Sequence, residues 1–450
     1  MSSQNINELI DNTLLPSYAK HDCNTLLPSY AKHDCNTLLP SYAKHDCNTL
    51  LPSYAKHDCN TDTDSEEYYS SSSDENLENS DNIDLTGKII KNYNVICELG
   101  RGSFSIVWLV YNIKNKNFYA LKVQNPNEYT DGLSEIKFVQ KLPKNPPIFN
   151  NIIEYFVEQK NKQKYLCSIW KLKCTNIDGL IRKGDYIDGF DFNKTIQIMK
   201  QLINSIKILH KKFKVFHGDI KSDNILVNGL NEKDKFLIEK YLLAIKDINF
   251  VNNISREQIH NNITNKILEE YNLADINKYV IEKKYLDNIE ICLADFGTHC
   301  EEHNYYEESF GTRYYQAPEI ILLGKCKYPV DIWALGCTFY ELLSGKILFD
   351  PIKDANHSRD YYHLSLINDT CGNFPEHFLK KTKFYKNYFI KSKLIDYTCP
   401  TVNRLDRKID QLNLNETTKV QVKRILQGLL QIDPNKRWTI DTLSNDPLFI

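Results

Sequence analysis

Apolar and polar residues change rhythm three times along this chain. Over residues 1–60 the apolar positions come only as Leu-Leu, one Tyr and one Ala in each twelve, interrupted by a Pro, which fits neither the helix nor the strand period. From about residue 89 the pattern tightens. Tyr93-Asn94-Val95-Ile96-Cys97-Glu98-Leu99 and Ile106-Val107-Trp108-Leu109-Val110 flank a glycine turn and predict a hairpin, and Asn117-Phe118-Tyr119-Ala120-Leu121-Lys122-Val123 predicts a third strand. Farther on, Ile196, Ile198, Met199, Leu202, Ile203, Ile206 and Leu209 recur at helical spacing, predicting a helix over 194–212 with one buried face; 332–343 and 422–430 repeat the pattern. Strands come first and helices afterwards.

The first rhythm is a tandem repeat: NTLLPSYAKHDC occurs four times unchanged between Asn12 and Cys59. Each copy has too little apolar surface for a stacked solenoid, so residues 1–60 read as a disordered tail. A short linear binding motif, or a soft-metal site built from the His-Asp-Cys triplets, is the alternative. Residues 61–88 form an acidic, Ser-rich linker that repels itself and stays extended, and its serines beside acids suit an acidophilic kinase.

Charge sharpens this division. The whole chain carries −2, but residues 1–87 hold 15 acids and 4 Lys, a net −11, which leaves +9 for the body. That balance excludes a wholly basic nucleic-acid-coating protein, and no direct nucleic-acid contact is expected. No apolar run approaches the roughly 20 residues that span a bilayer, and a signal-peptide stretch is missing, so the expectation is a soluble intracellular protein, cytoplasmic or nuclear. Of the 13 Cys, four belong to the repeat and nine are scattered without zinc-like pairing, which suits reduced thiols.

Candidate chemistry lies in the body. Leu99-Gly100-Arg101-Gly102-Ser103-Phe104-Ser105-Ile106-Val107 occupies the turn of the first hairpin, where glycines let backbone approach phosphates and Phe104 covers them; an ordinary glycine hairpin satisfies the same pattern. Lys122, in Ala120-Leu121-Lys122-Val123, sits among apolar neighbours and needs anionic partners, for which phosphate oxygens and Glu135 are the candidates; a snorkelling surface lysine is the bland alternative. The most specific run is His217-Gly218-Asp219-Ile220-Lys221-Ser222-Asp223-Asn224. It offers a carboxylate for an attacking hydroxyl at Asp219, an ammonium for a transferred phosphoryl at Lys221 and an amide oxygen for a metal at Asn224. Asp295, in Asp295-Phe296-Gly297, adds a carboxylate for Mg2+.

Taken in this order, the motifs resemble a eukaryotic-type serine/threonine protein kinase. Ala317-Pro318-Glu319, Asp331-Ile332-Trp333-Ala334-Leu335-Gly336 and Arg437, expected to pair with Glu319, extend the resemblance over about 93–450. It implies an α+β, two-lobed fold over 89–450, with an antiparallel-sheet small lobe near 93–172, a mostly helical large lobe near 173–450 and an insert at 228–288. It also implies ATP and Mg2+ as cofactors and transfer to Ser or Thr of a protein substrate. Trp170 then borders the adenine pocket and the Leu172 backbone bonds the base, although Trp170 serves equally as a core aromatic. A non-catalytic scaffold is the competing reading, and a small-molecule kinase a third.

Within that family, residues 102–109, Phe349-Asp350-Pro351, Ser358-Arg359-Asp360-Tyr361-Tyr362-His363-Leu364 and Gly372-Asn373-Phe374-Pro375 look like the serine/arginine-protein kinases, implying an Arg/Ser-rich substrate and a monomer. Gln316 departs from the Arg common at that position and weakens the implied preference, while Arg313 is retained. The Asn-, Ile- and Lys-heavy text suits an AT-rich protist or a large DNA virus; for a viral origin the expected location extends to the virion. The insert contains apolar spacings for short helices packing on the large lobe, as a docking element or as an expanded surface loop.

Gly218 stands where an Arg often precedes the catalytic Asp, which removes the cation that clamps a phosphorylated activation segment; Tyr305, Tyr306, Ser309 and Thr312 are that segment's modifiable hydroxyls. Activity is therefore expected to be independent of activation-segment phosphorylation. Phosphatase-treated protein should retain the untreated protein's rate of phosphoryl transfer, and a collapse of that rate would contradict this.

Overall fold

The computed structural model describes residues 84–450, apart from Ser103, Asn161, 248–254, 274–275, Asn277, 302–308, 353–356 and 398–403. The repeats, the linker as far as residue 83, and Ser103, Tyr305 and Tyr306 lie outside the described residues.

Six strands build the small lobe: β1 (Ile89–Ile90), β2 (Tyr93–Arg101), β3 (Ser105–Asn112), β4 (Phe118–Gln124), β5 (Ile152–Lys160) and β6 (Gln163–Trp170). They form one antiparallel sheet in the order β1-β2-β3-β4-β6-β5. β-Branched and aromatic residues give these runs their strand preference. The register sets Lys122 opposite Val107 and Ala120 opposite Trp170. Helix α1 (Tyr129–Val139) buries Ile136, Phe138 and Val139 and also Glu135.

The large lobe is mostly helical. After the two-residue strand β7 (Thr175–Asn176), Asn176 caps α2 (Ile177–Arg182) by accepting the Gly179 N–H at 2.8 Å. α3 (Phe192–Ile208), capped by Asp191, buries Ile198, Met199, Leu202, Ile203 and Ile206, then widens into a π turn over Leu209–Phe213 that ends at Lys214 in the left-handed region. Short strands β8 (Val215–Phe216), β9 (Ile225–Val227), β10 (Ile291–Leu293) and β11 (Cys300–Glu301) follow, with β9 paired antiparallel to β10 and β8 to β11.

Between β9 and β10 the insert forms α4 (Glu232–Asp247) and α5 (Arg256–Glu270). The helices agree with the sequence pattern, and these two lie against the small lobe, whereas the short helix Lys283–Asp287 near the insert's end meets the large lobe, where Lys194 Nζ donates to the Leu286 carbonyl at 2.8 Å. Asn94 of β2 donates to the Tyr241 hydroxyl (2.8 Å) and to Thr264 Oγ1 (3.1 Å), and Tyr111 of β3 packs against Tyr241 and His260 at ring separations of 5.1 and 5.8 Å. The Tyr241 hydroxyl also shares a 2.8 Å hydrogen bond with His260 Nδ1. Helical spacing reveals an apolar face; it carries no information about which surface that face meets.

The centre of the large lobe is α6 (Pro329–Ser344), buried from Val330 to Ser344 and stopped by Gly345 at φ +67. It packs with α3 and with α8 (Glu416–Leu429), while α7 (Arg359–Cys371) lies beyond it in the chain. Among the described residues no helix is long and apolar enough to cross a membrane, and the described cysteines form no disulfide. The fold is two-lobed, with a curled antiparallel sheet above a helical lobe.

Two buried carboxylates give opposite predictions. Glu319 receives Arg437 in a bidentate pair (2.7 and 3.0 Å), and Arg437 also donates to the carbonyls of Pro329 (2.7 Å) and Gln431 (2.9 Å). Both side chains are almost wholly buried, so Arg437→Ala strands a charge and is expected to lower unfolding free energy by about 3–5 kcal/mol in urea titration. Asp234 in α4 is also buried, beside Asn231, and burial pushes its carboxyl up to about 7. The folded chain thus keeps a proton that the unfolded chain releases above about pH 4, so this group's contribution to stability falls from pH 4 to 7 and is flat above. Asp234→Asn should remove that slope, leaving the variant about 2–4 kcal/mol more stable than wild type at pH 8 and nearly equal at pH 4 in parallel denaturation curves.

Candidate active site

A cavity of about 640 Å3 lies between the lobes. Leu99, Gly100, Gly102, Ser105, Val107, Ala120 and Lys122 line its small-lobe side; Glu135, Trp170, Leu172, Asn224 and Asp295 line the rest. Phe104 stands exposed at the hairpin tip (63 %) and does not line the cavity. Trp170 is buried and its indole N–H donates to Ser168 Oγ at 2.8 Å, so it is at once a core aromatic and a wall of the cavity.

One carboxylate joins three elements here. Glu135 Oε2 accepts from Lys122 Nζ of β4 at 3.0 Å, and Oε1 accepts the Phe296 N–H at 3.2 Å. Burial alone would lower the Lys122 pKa, but the carboxylates of Glu135 and Asp295 outweigh it and hold the ammonium above its ordinary value. Phe296 itself is buried among Phe138, Phe149 and His217, with ring separations of 5.6, 6.0 and 5.0 Å. Helix α1 is thereby tied to β4 and to the Asp295-Phe296-Gly297 turn at once.

The loop after β8 is fixed from below. Asp331, in the first turn of α6, accepts the backbone N–H groups of His217 (2.8 Å) and Gly218 (2.9 Å), and lies 2.8 Å from His210 Nε2. Gly218 takes φ +83, and a Cβ there would come within 2.8 Å of the Thr298 carbonyl oxygen, so the missing Arg has a local steric counterpart. His217 Nδ1 accepts the Asp219 N–H at 3.2 Å, which leaves Nε2 as the protonated nitrogen donating to the Ala294 carbonyl at 3.1 Å.

Asp219 is surrounded by donors. Its Oδ1 accepts the Thr312 N–H at 2.7 Å, and its Oδ2 lies 3.1 Å from Lys221 Nζ and 3.2 Å from Asn224 Nδ2. Burial would raise this carboxyl, but the Lys221 ammonium and the Thr312 hydrogen bonds prevail and keep it below the usual carboxylate range, ionised at neutral pH. Lys221 also donates to Thr312 Oγ1 at 2.6 Å. Thr312, read from sequence only as a modifiable hydroxyl, therefore holds both charged groups in place.

Antiparallel pairing of β9 with β10 sets Ile225 opposite Leu293, and the Ala294 N–H donates to the Asn224 carbonyl at 2.9 Å. Asn224 and Asp295, far apart in sequence, therefore share one end of the cavity. The Asn224 amide nitrogen is used on the Asp219 carbonyl (2.8 Å), leaving its Oδ1 for other company. Asp295 sits at φ +62, an uncommon conformation for a residue with a side chain, and its carboxylate accepts no hydrogen bond from the described residues. An amide oxygen and a carboxylate are hard donors that fit Mg2+.

The cavity also has lining that sequence reasoning missed: Asn231, Lys233, Asp234, Lys278 and Tyr279 of the insert. Nothing in their spacing pointed there, because their position depends on how the insert folds back.

Comparison with known proteins agrees with this architecture. Residues 93–270 and 280–449 match the protein kinase domain family. A putative serine/threonine-protein kinase of Acanthamoeba polyphaga mimivirus is 26% identical over 82% of this chain and 89% of its own length. The serine/threonine-protein kinase SRPK of Physarum polycephalum is 26% identical over 78% of this chain and 85% of its own, and the human dual specificity tyrosine-phosphorylation-regulated kinase 3 is 25% identical over 70% and 43%. With relatives on both the SRPK and the dual-specificity side, the chain belongs to the protein kinase domain family, as a eukaryotic-type domain related to SRPK- and DYRK-like kinases.

Proposed function

We propose that this protein is an active, ATP- and Mg2+-dependent kinase that phosphorylates Ser or Thr in protein substrates. The observation that carries this reading is that Asn224 and Asp295 line the end of a cavity whose roof holds the Lys122–Glu135 pair, while Asp219, bonded to Asn224 and paired with Lys221, stands just outside that lining. Ionised Asp219 orients the acceptor hydroxyl and takes its proton as the oxygen bonds to the γ-phosphorus and the bond from that phosphorus to the β-phosphate bridging oxygen breaks, releasing ADP. Lys221 neutralises charge developing on the transferred group, and Lys122, held by Glu135, orients the nucleotide phosphates. When bound through Asn224 Oδ1 and Asp295, Mg2+ neutralises charge between the phosphates.

For the protein substrate we favour Arg/Ser-rich segments, on the resemblance of residues 102–109, 349–351 and 358–364 to the serine/arginine-protein kinases. Gln316, in place of the Arg common at that position, weakens this preference. Its amide nitrogen donates to Ser309 Oγ (3.0 Å) and to the carbonyls of Phe310 (3.0 Å) and Gly311 (3.2 Å), bracing the segment that, by the kinase resemblance, shapes the pocket for the residue after the acceptor. The enzyme acts as a monomer inside the cell in this reading.

The test offers an Arg/Ser-repeat peptide, a basic general substrate and an acidic one to the full chain with radiolabelled ATP and Mg2+. Label should enter serines of the first, and Asp219→Ala should reduce the rate by about 10²–10⁴-fold. Transfer only to another substrate would discard the Arg/Ser assignment, and a folded, ATP-binding protein with no transfer would make the chain a scaffold.

A further inference from the structure

The insert leaves the large lobe and returns to it at one place. Asn231 at its start bridges Ile281 near its end, and the Glu232 N–H donates to the Val280 carbonyl at 3.2 Å. The stalk so formed stands at the edge of the cavity between the lobes and touches both sides of it. Below, Asn231 Nδ2 donates to the carbonyl of Cys174, just after the connection between lobes, at 2.5 Å. Above, Lys278 Nζ donates to the carbonyl of Leu99 in β2 at 3.2 Å. Tyr279 closes the space between them, lying so near Gly179 of α2 that a Cβ there would come within 2.7 Å of the ring.

Past the stalk, α4 and α5 hold the sheet through Asn94, Tyr241 and Thr264. The insert thus adds a further link between the lobes to the 170–174 connection and to the Glu135–Phe296 contact. Residues 271–279, which include Lys278 and Tyr279, fall between the two stretches that match the protein kinase domain family.

We propose that the insert root is part of the nucleotide site, a clasp across its open edge in which the Lys278–Leu99 hydrogen bond governs how long nucleotide stays bound. This rests on the reading of the cavity as a nucleotide site. Leu99 lines the cavity and is carried by the strand that leads into the glycine turn, so any widening of the cavity at that edge lifts Leu99 away from Lys278. Release of ADP then requires the clasp bond to break. Lys278 acts as a positioning residue, holding β2 down and taking no part in phosphoryl transfer.

The experiment measures release of radiolabelled ADP after rapid dilution from the full chain, with wild type, Lys278→Met and Lys278→Arg, alongside the melting temperature of each. Met keeps the bulk of the side chain and removes the donor; Arg keeps the donor. A lost hydrogen bond from a charged donor corresponds to release about 10-fold faster in Lys278→Met, with a higher KM for ATP, an unchanged KM for the protein substrate and an unchanged melting temperature. Lys278→Arg should release ADP at close to the wild-type rate. Wild-type release from folded Lys278→Met, or release from Lys278→Arg as fast as from Lys278→Met, overturns the clasp while leaving the kinase reading intact. Wild type that holds no nucleotide at all overturns the kinase reading and the clasp with it.

Discussion

The buried carboxylate of Asp331 is the constraint on which the rest of the candidate site hangs. Backbone N–H groups in a loop need acceptors, and those of His217 and Gly218 find theirs on this one side chain, at the N-terminal turn of a helix whose dipole also favours a negative charge there. With both amides fixed, His217 is turned so that its ring meets the Asp219 N–H on one nitrogen and the Ala294 carbonyl on the other. The loop bearing Asp219 and the turn bearing Asp295 are therefore positioned by the same imidazole, and Glu135 extends the chain of contacts through Phe296 to Lys122 in the upper lobe. Groups from four separate stretches of sequence are brought into register by a continuous path of hydrogen bonds between buried or half-buried partners.

Much of this was legible in the sequence because the chemistry demands particular residues at short spacings. Asp219, Lys221 and Asn224 lie within one turn of chain, and Lys122 stands out as a charge among apolar strand residues. The strands of the small lobe and the long helices announced themselves by period, since each has one face in the core; α3 begins and ends within a few residues of where its apolar stripe places it. Its actual end, a π turn closed by left-handed Lys214, depends on backbone geometry that the stripe does not encode.

What stayed hidden was long-range. The insert's helices could be read, but not their seat on β2 and β3, because Asn94 and Tyr111 look in sequence like ordinary strand residues until Tyr241, His260 and Thr264 meet them. Thr312 was equally opaque: its partnership with Asp219 and Lys221 spans about ninety residues and leaves no local pattern. Gly218 was visible as a departure, and the structure adds its reason in a left-handed backbone pressed against Thr298.

The short ladder between β9 and β10 has a consequence for how this chain tolerates change. Because Val227 pairs with Ile291 and Ile225 with Leu293, everything between those strands begins and ends at a fixed separation, whatever its length. Loop closure entropy grows only with the logarithm of loop length, so each doubling of the excursion costs about 0.6 kcal/mol. The junction uncouples chain length from the placement of Asn224 and Asp295. New sequence can accumulate there, and be selected for what it touches elsewhere, while the spacing of the two oxygen donors stays as it was.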